Sequence, residues 1–490
     1  MRSSGILLPV SALPSRYGIG TIGREAFEFV DFLERCGQRF WQILPVGPTG
    51  YGDSPYQSFS AHAGNPYLID LEALAADGLL TVEEIEASGF VENPDLIDYG
   101  DLYDKRFTLL KKAAKRIGMK DRGLLTFCEE NSEWLPDYAL FMTLKSEYGM
   151  ESFQSWPDEY RLYKEERLKA ARRRNKRKMH FWNVLQYLFY RQWAELKKYA
   201  NGKGIKIIGD IPIYVSSDSS DLWANHKLFQ VDRNRNMTSI AGCPPDYFNE
   251  DGQRWGNPLY NWNAHKKQDY DWWMKRLKNA ESVFDAVRID HFRGFAGYYS
   301  IPVENETARE GEWRKGPGKK FISKIKEEFP DFMIIAEDLG LLTPDVRRLL
   351  KFSGFPGMKV LQFAFHGGPD NEYLPGQHIE NCVVYTGTHD NPTLSGWVKT
   401  APFHEIKSAK RYLGVDRRLN LTGAFVKAAM HSVGNICIIP MQDWLGLGND
   451  ARINTPATTM GNWRFRVRKE KLSKRLTRKI LTVTKDSGRS

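Results

Sequence analysis

Eight short apolar runs, each closed by turn or polar residues, constrain this chain more than any other feature. They read GILLPVSAL, FWQILPV, IKIIGDIPI, FDAVRID, FMIIAED, KVLQFAF, CVVYTGTHD and ICIIPMQD. Their apolarity is continuous rather than alternating, which marks parallel strands covered on both faces. Helical patterns separate several of them. Ala26, Phe29, Val30 and Leu33 recur at i, i+3, i+4 and i+7 after the first run. FWNVLQYLFYRQWAELKKYA precedes the third and stops at Gly202 and Gly204, and Thr343-Pro344-Asp345 opens a helix after the fifth. Eight strands alternating with helices is the count of a (β/α)8 TIM barrel, so the fold class expected is α/β.

Two connections, Gly47 to Gly204 and Tyr214 to Ser282, far exceed the usual loop of about 4 to 6 residues. Large insertions are therefore expected after strands 2 and 3. Residues 65–200 read as a mainly helical lobe. Residues 214–282, rich in Trp, Tyr, Asn, Gly and Pro, follow a strand's C-terminal end and should lie over the active-site mouth. The eighth run ends near Asp443, leaving fewer than fifty residues. A β-sandwich needs roughly 100, so no C-terminal sandwich domain is expected. With no internal repeat or low-complexity linker, residues 1–490 read as a single catalytic barrel with insertions.

The net charge of +10 would suit a polyanion, but the basic residues gather in Arg161 to Lys178 and Arg464 to Arg489. Without a recognition module these read as solvated faces, so no nucleic-acid partner is expected. The five cysteines are widely spaced, odd in number and form no C-x-x-C pair, which implies neither a disulfide framework nor a zinc site. The opening MRSSGILLPVSALPS has only a short apolar run broken at Pro9. That fits neither a signal peptide nor a membrane span, so a cytoplasmic location and no membrane are expected.

Active sites of such barrels lie where strands end. Here the runs close on Gly209-Asp210, Arg288-Ile289-Asp290, Glu337-Asp338, His389-Asp390 and Gln442-Asp443. A lone strand-end Asp is usually a helix cap or turn residue. Several on one face would repel in a poorly solvated pocket, an arrangement function explains better than stability does. Arg288 and Asp290, two apart on a strand, point the same way, and the guanidinium should keep Asp290 ionised for attack on carbon. Glu337, between apolar walls and the negative Asp390, should be raised and act as general acid. That pair is the retaining glycoside arrangement, with Asp390 left to hold ring hydroxyls at the transition state.

R-x-D, a lone Glu after the next strand and H-D resemble the catalytic regions of the α-amylase-like clan. The chain more specifically resembles the family of bacterial 4-alpha-glucanotransferases, the amylomaltases. The likeness runs through GPTGYGDSPYQSFSAHAGNPYLIDL, GDIPIYV, PPDYFNEDGQRWGNPLYNW, VRIDHFRGF, AEDLG, THDN and LGLGNDARINTPATTMGNW. The resemblance implies Asp290 as nucleophile, Glu337 as acid/base and Asp390 as transition-state stabiliser. It further implies sugar contacts from Tyr56, Asp210, Arg288 and His389, from Trp255 on a covering loop, and from Asn462 in the loop carrying NTPATTMGNW. Tyr51 and Tyr99 match positions where the family holds a second glucan. Ile453 and Ala457 stand where the family pattern has Met and Gly, and a loop needing Gly freedom there would handle an acceptor differently.

The activity expected is transfer of α-1,4-glucan segments between maltooligosaccharides, or starch- or glycogen-derived glucans, without cofactor or metal, by a monomer or weak homodimer. An α-amylase-type hydrolase would use the same carboxylates with water. A metal-dependent barrel would use Asp210, Asp290, Glu337 and Asp390 as magnesium ligands, against which Arg288 argues. A non-catalytic glucan-binding protein would be expected to have lost one of the three acids.

Overall fold

A computed structural model describes all residues except Met1, Tyr51, Glu92, Asp246 to Asn249 and Leu341. Its strands are β1 Ser3–Leu7, β2 Phe40–Gln42, β3 Lys206–Ile211, β4 Ser239–Cys243, β5 Gln253–Pro258 and β6 Ala286–Ile289. They continue as β7 Gly297–Pro302, β8 Glu312–Lys315, β9 Met333–Ala336, β10 Gly357–Val360, β11 Cys382–Tyr385 and β12 Ile436–Pro440. Eight of them form one parallel sheet in the order β10-β11-β12-β1-β2-β3-β6-β9. The two edges meet. Ala336 N–H donates to the Pro356 carbonyl at 2.9 Å, and Met358 N–H donates to Asp338 Oδ1 at 2.6 Å. The result is a nearly closed TIM barrel, and each predicted apolar run meets one of its strands, although KVLQFAF gives β10 only Lys359 and Val360 before turning into a 3-10 helix at Leu361–Phe363. β6, β10, β11 and β12 are buried at every residue, because side chains fill the inside and helices cover the outside.

Between β2 and β3 the chain runs through α-helices, the longest being Tyr99–Arg116, Leu135–Glu147 and Lys176–Gly202. The last lays Leu185, Leu188, Trp193 and Leu196 inward, and Trp193 Nε1 donates to the Val283 carbonyl at 2.8 Å. Leu140, Phe141 and Leu188 belong to the same hydrophobic cluster as Ile207, Val287 and Ile438 of the barrel. Lys145, buried, reaches from the helical region to Asp218 at 2.6 Å, fixing the loop that follows β3.

A second sheet was not anticipated. β5-β4-β7-β8 pair antiparallel, with Ala241 opposite Ser300 and Tyr299 opposite Trp313. Half of it comes from the stretch after β3, and half from a further excursion after β6 that carries β7 and β8. β5 (QRWGNP) and the fully exposed β8 (EWRK) have no apolar run to read; their neighbours' ladders make them strands.

The basic C-terminal stretch is not simply a solvated face. Arg489 is fully buried, donating to the carbonyls of Met430 at 2.6 Å, Ser3 at 2.9 Å, Ser432 at 2.7 Å and Gly434 at 2.8 Å. Arg466 likewise donates to the Asn93 carbonyl at 2.8 Å. A guanidinium's five N–H donors satisfy carbonyls left over where strands and loops end. The other basic run behaves as expected of a surface, with Arg172 pairing Asp137 at 2.6 Å and Lys178 pairing Glu147 at 2.7 Å. Among the described residues no helix is long and apolar enough to cross a membrane.

Candidate active site

Strand register assembles the centre of the barrel mouth. Asp210 on β3 pairs in register with Arg288 on β6. Ile289 on β6 pairs with Ala336 on β9, so the next residues outward, Asp290 and Glu337, emerge side by side. Arg288 is buried. Its Nη1 donates to Asp210 Oδ1 at 2.9 Å and Oδ2 at 2.8 Å, and its Nη2 to Asp290 Oδ1 at 2.9 Å. Nη2 also stands 4.0 Å from Glu337 Oε2. Its Nε points to Met358 Sδ at 3.4 Å. The arginine is thus fully spent on holding two carboxylates and facing a third.

Glu337 has a different environment. Its Oε2 accepts the His291 N–H at 2.6 Å and its Oε1 the Leu339 N–H at 2.9 Å. Burial pushes its carboxyl up, Arg288 pulls it down and Asp290 raises it again, leaving it at about 7. The raised value was expected, but the negative neighbour responsible is Asp290 and not Asp390, because the register of β6 and β9 puts Asp290 closer. His291 holds φ at +50°, turning the chain sharply just after Asp290. Burial also lowers its imidazole to about 3, so the ring is neutral.

Asp390 is open by comparison, its side chain 45% exposed. Among the described residues no guanidinium bonds its carboxylate. Asn454 Nδ2 donates to Oδ1 at 2.6 Å, and His389 Nε2 lies 3.4 Å from the same oxygen. Tyr56 completes this wall. Its hydroxyl donates to Asp210 Oδ2 at 2.8 Å, and its ring stacks on His389 at 5.1 Å and 16°. The Trp463 ring packs 5.8 Å from Tyr56 and 6.0 Å from His389.

Trp255 lies on β5 of the second sheet rather than on a covering loop. Its ring meets that of His291, the residue after Asp290, edge-on at 4.7 Å. Gln57 Nε2 reaches the Trp255 carbonyl at 3.4 Å and Asn257 Oδ1 at 3.1 Å, joining the segment that carries Tyr56 to the strand that carries Trp255.

Tyr99 and Asn462 are not part of the carboxylate cluster. Both line a separate hollow of about 1550 Å³, shared with Tyr67, Phe107 and Trp182. Tyr99 donates to the Trp463 carbonyl at 2.9 Å. Asn462 spends its amide within its own loop, accepting from Thr455 N–H at 2.9 Å and donating to the Thr458 carbonyl at 3.1 Å. Tyr51 lies outside the described residues.

Two of the strand-end acids serve the scaffold. Asp338 takes the Met358 N–H that helps close the barrel. Asp443 accepts the Thr386 hydroxyl at 2.5 Å and the Leu394 N–H at 2.7 Å. Sequence reasoning missed Asn454, Gln57 and Met358. Asn454 left a signal in the run NTPATTMGNW that also held Asn462, and Gln57 one in GPTGYGDSPYQSF beside Tyr56, whereas Met358 left none.

A barrel whose mouth carries carboxylates paired to an arginine, a neighbouring carboxyl raised by burial and an aromatic wall has the chemistry of a retaining glucan-processing enzyme. Residues 8–472 match the family model described as 4-alpha-glucanotransferase. A protein of that name from Clostridium butyricum is 45% identical over 483 residues, 98% of this chain and 99% of its own. One from Thermus thermophilus is 45% identical over 486 residues, 96% of each chain. The solved structure of an amylomaltase from Streptococcus agalactiae in complex with acarbose matches with a TM-score of 0.97 at 41% identity, covering 100% of both chains. The chain belongs to the 4-alpha-glucanotransferase family. It is an enzyme of glucan transfer, and the hydrolase alternative is not favoured.

Proposed function

We propose that Asp290 is the nucleophile, Glu337 the acid/base and Asp390 the transition-state stabiliser of this transfer. The observation that carries the assignment is the unequal treatment of two neighbouring carboxyls: Arg288 bonds Asp290 at 2.9 Å, while burial leaves Glu337 at about 7. In the first half-reaction an Asp290 oxygen bonds to the anomeric carbon as the C1–O4 bond breaks. Glu337 gives its proton to the departing O4. In the second, the 4-hydroxyl of another glucan loses its proton to Glu337, its oxygen bonds to C1, and the Asp290 ester breaks. The proton count closes, and no water is consumed.

Asp390 keeps a carboxylate oxygen for hydroxyls of the distorted ring. Tyr56 and Trp255 offer rings to the apolar faces of glucose, and Asp210 and His389 line the same end of the cleft. Donors and acceptors are maltooligosaccharides or starch- or glycogen-derived α-1,4-glucans, a reading supported by the acarbose complex of the related amylomaltase. The hollow at Tyr99, with Asn462 on its rim, is where a second glucan would lie. The reaction needs no cofactor or metal, and we assign the enzyme to the cytoplasm as a monomer or weak homodimer.

Purified protein given maltotriose should yield glucose and a ladder of longer maltodextrins at nearly constant reducing ends. A steady rise in reducing ends would sink transfer in favour of hydrolysis.

A further inference from the structure

The third carboxylate is held from a distance in sequence. Asp390 lies in the loop after β11, half exposed, and free rotation of its side chain would scatter the oxygen on which a transition-state contact depends. The segment Arg452 to Asn454 removes that freedom through four contacts. Asn454 Nδ2 donates to Asp390 Oδ1 at 2.6 Å. The Arg452 guanidinium donates to the Asp390 carbonyl, and Arg452 Nε donates to the Asn454 carbonyl at 2.7 Å. Asn454 N–H donates to the His389 carbonyl at 3.1 Å. The same segment is closed from behind, where Trp463 N–H donates to the Ile453 carbonyl at 2.7 Å and Tyr99 to the Trp463 carbonyl at 2.9 Å.

The bond to Oδ1 also has a chemical direction. A carboxylate only accepts, so the Asn454 amide must present its NH2 and not its carbonyl. The hydrogen bond to the carboxylate comes from a neutral amide, with His389 Nε2 3.4 Å from the same oxygen and the Arg452 guanidinium on the Asp390 carbonyl rather than on the carboxylate. No described residue donates to Oδ2, so one oxygen is fixed and the other keeps its acceptor capacity. A lysine or arginine in place of Asn454 would instead neutralise the charge that an oxocarbenium-like transition state requires.

We propose that Asn454 is a positioning residue, with Arg452 as its support: it orients Asp390 for the transition state without touching the sugar or supplying charge. This rests on the role proposed for Asp390. The decisive variant is Asn454→Asp, which sets a second carboxylate at hydrogen-bond distance from the first. Two such groups share a proton, so one of them titrates upward. Below that raised value the shared proton restores the bond; above it the two charges repel and drive Asp390 out of place.

The experiment measures kcat and KM on maltotriose from pH 5 to 8.5 for the wild type, Asn454→Ala, Asn454→Asp and Asp390→Asn, with thermal melts of each. Displacing a contact group by ~1 Å can cost on the order of 100-fold, so Asn454→Ala should lose about 10- to 100-fold in kcat, with KM within roughly threefold. Asn454→Asp should approach the wild-type rate at the acid end and fall steeply as pH rises, a profile that simple loosening of the fold would not produce. A near-wild-type rate in Asp390→Asn would overturn the role of Asp390 and the proposal with it. An inactive Asp390→Asn beside a fully active Asn454→Ala, or an Asn454→Asp profile parallel to wild type, would overturn the positioning role alone.

Discussion

Asp290 and Glu337 leave adjacent strands in register and share one buried arginine, whereas Asp390 follows β11, three strands round the barrel from β6, and depends on a loop 64 residues further on. The first side is built from charge around a buried arginine, where burial raises Glu337 and breaking the ion pair is expensive. The second is built at a half-open rim, where a neutral amide aims the carboxylate and the nearest guanidinium bonds its backbone carbonyl and not its charge. One barrel mouth thus separates two requirements, tuning who carries the proton and fixing where a bystander charge points. Removing groups from the charged side should therefore do far more damage than loosening the neutral side.

The largest effects belong to the two reacting groups. We predict that Asp290→Asn and Glu337→Gln each cut turnover by ~10⁴-fold or more while the circular dichroism spectrum stays native. Substantial residual transfer in either would break the assignment of that side. Arg288→Lys comes next. An ammonium is a point charge that cannot bridge Asp210 and Asp290 together. The variant should lose about 100-fold in kcat/KM, and on the order of 2 kcal/mol of stability since a buried pair is left half-broken. Equal activity with Lys would show that only the charge matters.

The proton on Glu337 gives the third prediction. A general acid at about 7 means that kcat/KM for transfer should fall as pH rises above 7, the protonated form being lost. Stability is linked to the same group. Its folded value lies above the unfolded one of about 4.3, so the folded state holds the extra proton between those values. Unfolding free energy should decline as pH rises from about 4 to 7, the penalty being complete above 7. Glu337→Gln cannot ionise and should escape it, gaining about 1 to 3 kcal/mol over wild type at pH 8 and nothing at pH 4. A melt difference that is the same at both pH values would refute the raised carboxyl.

The charged side was the readable one. Arg288 and Asp290 sit two apart on an apolar strand, so period-2 geometry alone places them together, and continuous apolar runs mark all eight barrel strands. β5 and β8 have no such run and exist through antiparallel partners, so the second sheet and the true place of Trp255 were hidden. Asp338 and Asp443 look like Asp290 in sequence, since nothing local tells a carboxylate facing the cleft from one taking a backbone N–H. The neutral side escaped because its parts, Asp390 with Arg452 and Asn454, meet only through tertiary contact.

The smallest effect tests the apex of the loop that serves the neutral side. Thr458 N–H donates to the Thr455 carbonyl at 3.3 Å, and Pro456 with Ala457 at φ +61° fills the two central positions of the turn. Proline followed by a positive φ is the type II arrangement, which favours Gly at the third position. An alanine held there costs roughly 1 to 2 kcal/mol, while glycine loses about 0.5 to 1 kcal/mol through a more flexible unfolded chain. Ala457→Gly should therefore stabilise by less than about 1 kcal/mol, seen as a small upward shift of the melt. Its apex is exposed, and the grip on Asp390 comes from Arg452 and Asn454 at the base, so kcat on maltotriose should stay within about twofold of wild type. A fall as deep as that expected for Asn454→Ala would mean that apex and base move as one body, and that the Asp390 side of the cleft owes its aim to the alanine that stiffens its turn.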